Sequence, residues 1–210
     1  MFGIARQDGI SRIFATPHIA DGLFPNDLTK IISSVEDMRR RLPEGIELFY
    51  GADVRITPDL IARARSGQIP TLQGSGYMLI EFPEFIIPAN IEGLLSDLRL
   101  QGITPVVTHP ERHLRLMHDF TVLSRLRDGG AIFQITAMSI TGGFGPEIRG
   151  ASLSMIKEGL ADIIASDAHN ADTRPPILSR AYREVKRFFG DEMAGKLFFE
   201  NPAKILKECV

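Results

Sequence analysis

One cysteine, Cys209, stands among 210 residues, a single position from the C-terminus. It excludes an intrachain disulfide, and it leaves no room behind it for the arginine-bearing phosphate loop of a cysteine-nucleophile enzyme. Cysteine usage this sparse suits a reducing compartment, so a cytoplasmic protein is expected. A surplus of positive charge is also missing. The 24 Lys and Arg face 26 Asp and Glu, a formal net charge of −2, which gives no grip on a nucleic-acid backbone or an anionic membrane. No run approaches the ~18 consecutive apolar residues of a membrane span. The opening residues, Met1 to Asp8, lack the basic and apolar blocks of a signal peptide. Repeats, low-complexity stretches and Ser/Gly linkers are absent as well, so one domain over 1–210 is expected.

What is present is an alternation. Short β-rich apolar runs (12–16, 46–50, 77–80, 104–107, 131–135 and 162–165) are each about strand length. Helical patterns lie between them. Asp27 to Leu42 carries Leu28, Ile31, Ile32, Val35, Met38 and Leu42 at spacings of three and four before Pro43 and Gly45. Others run from Ile91 to Leu100, from Ser152 to Glu158, from Leu178 to Phe189 and from Asn201, where Pro202 occupies the first turn. Strands alternating with helices imply parallel βαβ units, hence a doubly wound sheet or a (β/α) barrel.

The chemistry collects where the runs end. The first ends in Thr16-Pro17-His18, the second in Gly51-Ala52-Asp53 and the third in Glu81-Phe82-Pro83. The fourth ends in Thr108-His109-Pro110-Glu111-Arg112 and the last in Ser166-Asp167-Ala168-His169-Asn170. In parallel α/β architectures the C-terminal strand edge is where active sites are assembled. Imidazole and carboxylate together suit Zn, Mn or Fe, and several carboxylates suggest ions sharing bridging ligands. Asp167 and His169, two apart at a strand end, are expected to point towards one centre. Arg112 and Arg174 follow the ligand motifs, and a guanidinium beside a metal cluster is what recognition of phosphate requires. The plainer reading of the two is a salt bridge, to Glu111 and Asp172 respectively. Arg39-Arg40-Arg41 reads as a solvated helix face, and His113 and His118 read as surface residues. Thr141-Gly142-Gly143-Phe144-Gly145 reads equally as an anion cradle or as a lid.

These motifs, in this order, resemble the PHP-superfamily protein-tyrosine phosphatases of bacterial capsule and exopolysaccharide operons. The stretches that carry the likeness are 15–18, 79–83, 109–112, 140–145 and 166–170, and it spans about Ala5 to Pro202. The resemblance implies a distorted (β/α)7 TIM-like barrel holding up to three ions, usually Mn²⁺, with Fe, Zn and Co compatible with the same donors. It implies metal-ligand roles for His18, Glu81, His109, Asp167 and His169, and phosphate contacts from Arg112 and Arg174. Asp53 stands where the family usually has a bridging Glu. The implied substrate is a phosphotyrosine protein, a capsule-type tyrosine autokinase, and no covalent phospho-enzyme is expected.

One departure matters. The family opens with a strand carrying Asp-x-His-x-His, and this sequence has no such motif. Residues 1–10 match the family's first helix and the turn after it, so on the order of 30 residues, most of one βα unit, are missing. Either the start was assigned at an internal methionine or the gene is shortened. The first is favoured, because every downstream ligand position still holds a plausible ligand. A barrel with its first strand absent would expose unpaired backbone, so weak metal binding, low activity and association into oligomers are expected. Two other functions fit the residues: a small-molecule phosphomonoesterase such as a histidinol-phosphate phosphatase, and a non-catalytic remnant that binds a partner.

Overall fold

The computed structural model describes residues 1–19, 22, 24–83, 85–207 and 209. Among these, every paired strand is parallel. β1 (Arg12–Ala15) pairs with β3 (Glu47–Tyr50). β2 (His18–Ile19), β4 (Asp53–Arg55), β5 (Tyr77–Glu81), β6 (Thr104–Thr108), β7 (Ile132–Thr136) and β8 (Ile163–Ala165) follow one another in a second ladder. Its ends among the described residues are β2 and β8.

Each of the first two runs of the sequence reading is followed, after a short break, by a second strand, so His18 and Asp53 lie inside strands rather than after them. Pro17 has no N–H to give a ladder. Glycine eases the close approach at Gly51, where a Cβ would fall 2.6 Å from Leu72 Cδ2 and 3.2 Å from Thr16 Cγ2. Pairing continues across both breaks, with Gly51 N donating to Ala15 O at 3.0 Å and Asp53 N to Pro17 O at 3.1 Å.

Period-two alternation assigns the two faces of the sheet. Met78, Ile80, Val107, Phe133, Ile135 and Ile164 point to an outer core shared with the helices. Leu79, Val106 and Ile163 point inward, where they meet Phe14, Ile132, Leu72 and Ile205. The outer core is closed by α4 (Ile91–Leu100) through Ile91, Leu95 and Leu98, and by α5 (Phe120–Asp128) through Val122, Leu123 and Leu126. Each such side chain, fully removed from water, contributes roughly 1.5–3 kcal/mol.

Helix boundaries differ from the sequence expectation in three places. α2 (Leu28–Arg39), with Asp27 accepting from Lys30 N at 2.8 Å, buries Ile31 and Val35 but leaves Met38 44% exposed. Arg39 faces the sheet instead, donating Nε to Leu48 O at 2.8 Å. α7 (Pro146–Lys157) begins well before Ser152, with Pro146 in its first turn and Gly145 at φ 98° ahead of it. The polar Glu147 and Arg149 mask the apolar period there. α8 (Ser179–Gly195) is broken by Gly190 at φ 87°, near its expected end.

Asp8 ties the first helix to α8. It closes α1 (Phe2–Gln7), and its carboxylate accepts from Leu178 N (2.6 Å), Ser179 N (2.9 Å) and Ser179 Oγ (2.5 Å), capping α8. Burial alone would raise its pKa, but those hydrogen bonds and Arg183 outweigh it and hold the group below 3.8. The contribution is therefore present above pH 3.8 and lost as pH falls through the lower folded-state value. Asp8→Ala is expected to destabilise the protein by about 1 kcal/mol at neutral pH. Chemical denaturation at pH 7 and pH 3 checks this, and the difference between variant and parent should shrink at the acid end.

Candidate metal centre

Alternation on the inner face builds half of the site. Asp53 pairs in register with Leu79, and Leu79 with Val106. Two residues beyond Leu79 and Val106 come Glu81 and Thr108, on the same face, while His18 pairs with Asp53. Two carboxylates, an imidazole and a hydroxyl thus stand together above the inner core.

His109 breaks the alternation. An unbroken β6 would send it outward with Val107. Its backbone instead sits in the left-handed region at φ 37°, and its ring turns back inward. Asp167, past the end of β8, does the same at φ 48°. Such conformations cost on the order of 1–3 kcal/mol each and concentrate at functional sites.

Asp53 Oδ2 stands 3.6 Å from His109 Nε2 and 3.9 Å from His18 Nδ1. Glu81 reaches the same two rings, Oε1 to His109 Nε2 at 3.6 Å and Oε2 to His18 Nδ1 at 3.6 Å. His18, Asp53 and Glu81 each offer one ligand atom, all within 4.8 Å of one another, a spacing that a cation can draw together, and Glu81 turns its other oxygen to His109. His18 Nδ1 is buried without a hydrogen-bond partner, and it faces both carboxylates. The donor set fits a divalent metal. Thr108 Oγ1 donates to Asp53 Oδ1 at 3.1 Å and Arg55 Nε to Glu81 Oε2 at 3.3 Å, fixing both carboxylates from outside. Burial disfavours the charged His109 ring, yet its hydrogen bond and proximity to Asp53 raise its pKa above 6.5.

Asp167, His169, Arg112 and Arg174 form an adjoining group. The His169 ring lies 6.0 Å from that of His18, centre to centre. His169 Nδ1 is 3.0 Å from Asp167 O. A carbonyl only accepts, so the proton sits on Nδ1 and Nε2 is left as the donor to an ion. Asp167 and His169 do sit together, but through this turn rather than strand alternation, since β8 stops at Ala165. Arg112 Nη1 binds Asp167 Oδ2 at 2.6 Å, and Arg174 Nη2 binds the same oxygen and Asp167 O. Neither arginine turns to Glu111 or Asp172. Phe144, from the glycine-rich turn, lies over both guanidiniums, 4.8 Å from Arg112 and 5.7 Å from Arg174.

Behind this group Glu111 is fully buried. It accepts from Thr136 N at 3.0 Å and Ser139 Oγ at 2.7 Å, tying the end of β6 to the end of β7. Burial pushes its pKa up against those two hydrogen bonds. His113 is buried rather than superficial. Its Nδ1 accepts from Arg115 N and Leu116 N, both at 3.3 Å, and its ring meets Phe82 edge-on. His118 is exposed, as expected, and pairs with Glu147 at 3.3 Å. Thr108 and Arg55 are neighbours of the site that sequence reasoning did not single out, whereas Phe144 belongs to the turn read as a cradle or a lid. The first two were findable, lying two residues from Val106 and Asp53 on the inward parity.

The family described as "Capsular polysaccharide synthesis, CpsB/CapC" matches residues 1–207. The putative tyrosine-protein phosphatase CapC of Staphylococcus aureus is 35% identical over 87% of this chain and 72% of its own length. Tyrosine-protein phosphatase CpsB of Streptococcus pneumoniae is 30% identical over 96% of this chain and 86% of its own. A solved structure from work on YwqE of Bacillus subtilis and CpsB of S. pneumoniae, described as unique metal-dependent tyrosine phosphatases, superposes with a TM-score of 0.94. It shares 31% identity, over 100% of this chain and 86% of that one. Among the described residues no helix is long and apolar enough to cross a membrane. With inward-facing carboxylates, an imidazole and a further carboxylate placed by left-handed backbone, and a match over nearly its whole length, the chain belongs to the CpsB/CapC family.

Proposed function

We propose that this chain is a metal-dependent protein-tyrosine phosphatase, one catalytic domain that hydrolyses phosphotyrosine by direct attack of water. The observation that carries the reading is the meeting of Arg112 and Arg174 on Asp167, beside a cluster of two carboxylates and two imidazoles. His18, Asp53, Glu81, His109, Asp167 and His169 would hold the ions, with Mn²⁺ the metal the family resemblance favours. Such ions supply Lewis-acid polarisation of the phosphoryl group and a water acidified towards neutrality.

The remaining work belongs to the side chains. Arg112 and Arg174 take the phosphoryl oxygens in place of Asp167, and their forked donors match the charge that grows there in the transition state. Asp167, left beside them, accepts the proton given up by the attacking water. Thr108 and Arg55 keep Asp53 and Glu81 from rotating away. Phe144 covers the guanidiniums and limits access of bulk water. The substrate is a tyrosine-phosphorylated protein of the capsule machinery, a tyrosine autokinase, in the cytoplasm.

The test is phosphotyrosine-peptide hydrolysis by this chain with and without added Mn²⁺, beside His169→Ala. Turnover is expected to require the metal and to disappear in the variant. Turnover that survives chelation, or a fully active variant, overturns the assignment.

A further inference from the structure

Along the exposed flank of α8, Arg180, Arg183 and Arg187 recur at spacings of three and four, so they share one helical face. With Arg149 of α7, Thr141 and Glu184 they line an open cleft of about 490 Å³. Four guanidiniums against one carboxylate make this wall strongly positive, in a chain whose net charge is −2.

Two of the arginines are held in place. Arg149 donates Nε to Ile140 O at 3.0 Å and Nη2 to Glu184 Oε2 at 2.8 Å. Arg187 Nη2 reaches the same Glu184 oxygen at 2.8 Å, and Phe188 underlies Arg187 at 4.4 Å and Arg149 at 5.7 Å. The other two are unspent: neither Arg180 nor Arg183 has a side-chain hydrogen bond or ion pair with another described residue. Asp8 feels the charge of Arg183, but its carboxylate is occupied with the start of α8. The cleft therefore combines fixed donors with free ones, an arrangement suited to a chain of anions.

Its position says which chain. Thr141 opens the turn that carries Phe144 over Arg112 and Arg174, and three residues span at most about 10 Å. On the other wall, Arg174 itself leads within a few residues into α8. A polypeptide whose phosphotyrosine sits under Phe144 can lay its neighbouring residues along these arginines.

We propose that this cleft binds acidic side chains flanking the phosphotyrosine, and so selects protein substrates whose modified tyrosine lies in an acidic stretch. The proposal rests on the phosphatase reading for the occupant of the main site.

Fluorescence anisotropy with labelled phosphotyrosine peptides tests it without requiring turnover. The probes carry glutamate-rich or glutamine-rich flanks around the same phosphotyrosine. The acidic peptide is expected to bind about ten-fold more tightly at low salt, the sum of two or three exposed ion pairs, and high salt should close the gap. Arg180→Gln with Arg183→Gln should abolish the preference. Arg40→Gln with Arg41→Gln removes the same charge from the end of α2 and should leave it intact. Equal binding of the two peptides overturns the proposal, as does loss of the preference in the α2 variant to the same degree. Hydrolysis of p-nitrophenyl phosphate by the α8 variant, which has no flank to read, should match the parent. That measurement reports on the phosphatase reading alone, so the failure of either is recognised separately.

Discussion

Asp53→Asn is expected to weaken Mn²⁺ binding by well over ~100-fold and to remove most phosphotyrosine turnover. Loss of an outer partner of a metal ligand already costs about 10–100-fold in affinity or activity, and Asp53 occupies a more central place than that. It is 5% exposed, its Oδ2 faces His18 and His109 together, and its Oδ1 accepts from Thr108. Asparagine keeps the shape and one acceptor but removes the charge. It also presents an NH₂ where either a ring lone pair or a cation must be met. Because the swap is nearly isosteric, the fold should survive, so the loss can be read as chemistry. The hydrogen bond and charge of Asp53 also raise the pKa of His109, and the variant should lower the pKa of that ring in the metal-free protein, visible by NMR titration. Calorimetric titration with Mn²⁺ decides the main point. Affinity within about ten-fold of the parent would remove Asp53 from the centre.

How far the site could be read in the sequence depends on which device places each residue. Asp53, Glu81 and Thr108 follow from strand alternation once the runs are recognised, because their parity is that of Leu79 and Val106. His109 and Asp167 do not. Alternation puts His109 on the wrong face, and only a left-handed backbone brings it in, a conformation no composition announces in a non-glycine residue. The strand ends nevertheless mark the residues that the structure brings together, since that edge of a parallel sheet gathers side chains from several strands whatever the local turn. The division of β1 from β2 was foreshadowed by Pro17. The early start of α7 at Pro146 was not, since its first turns carry no apolar stripe. His113 misled because a histidine in a loop looks superficial, whereas the turn around it folds under Phe82.

Arg112→Ala is expected to lower kcat for a phosphotyrosine peptide by about 10²–10³-fold, the range seen when one preorganised donor to a developing oxyanion is removed. Mn²⁺ affinity should change little. The reason lies in the double pairing of Asp167: with Arg112 gone, Arg174 still holds Oδ2 and the Asp167 carbonyl. His169 Nδ1 still rests on that carbonyl, so the ligand turn keeps its shape. What disappears is one of the two forks that the proposed function assigns to the phosphoryl group, together with the cation under Phe144. Arg112→Lys should recover only part of the rate, because an ammonium offers one point of charge rather than two parallel donors. Steady-state kinetics beside Mn²⁺ titration separates this role from its competitor. Were Arg112 there only to hold Asp167 for the metal, affinity and kcat would fall together, and the lysine variant would restore both.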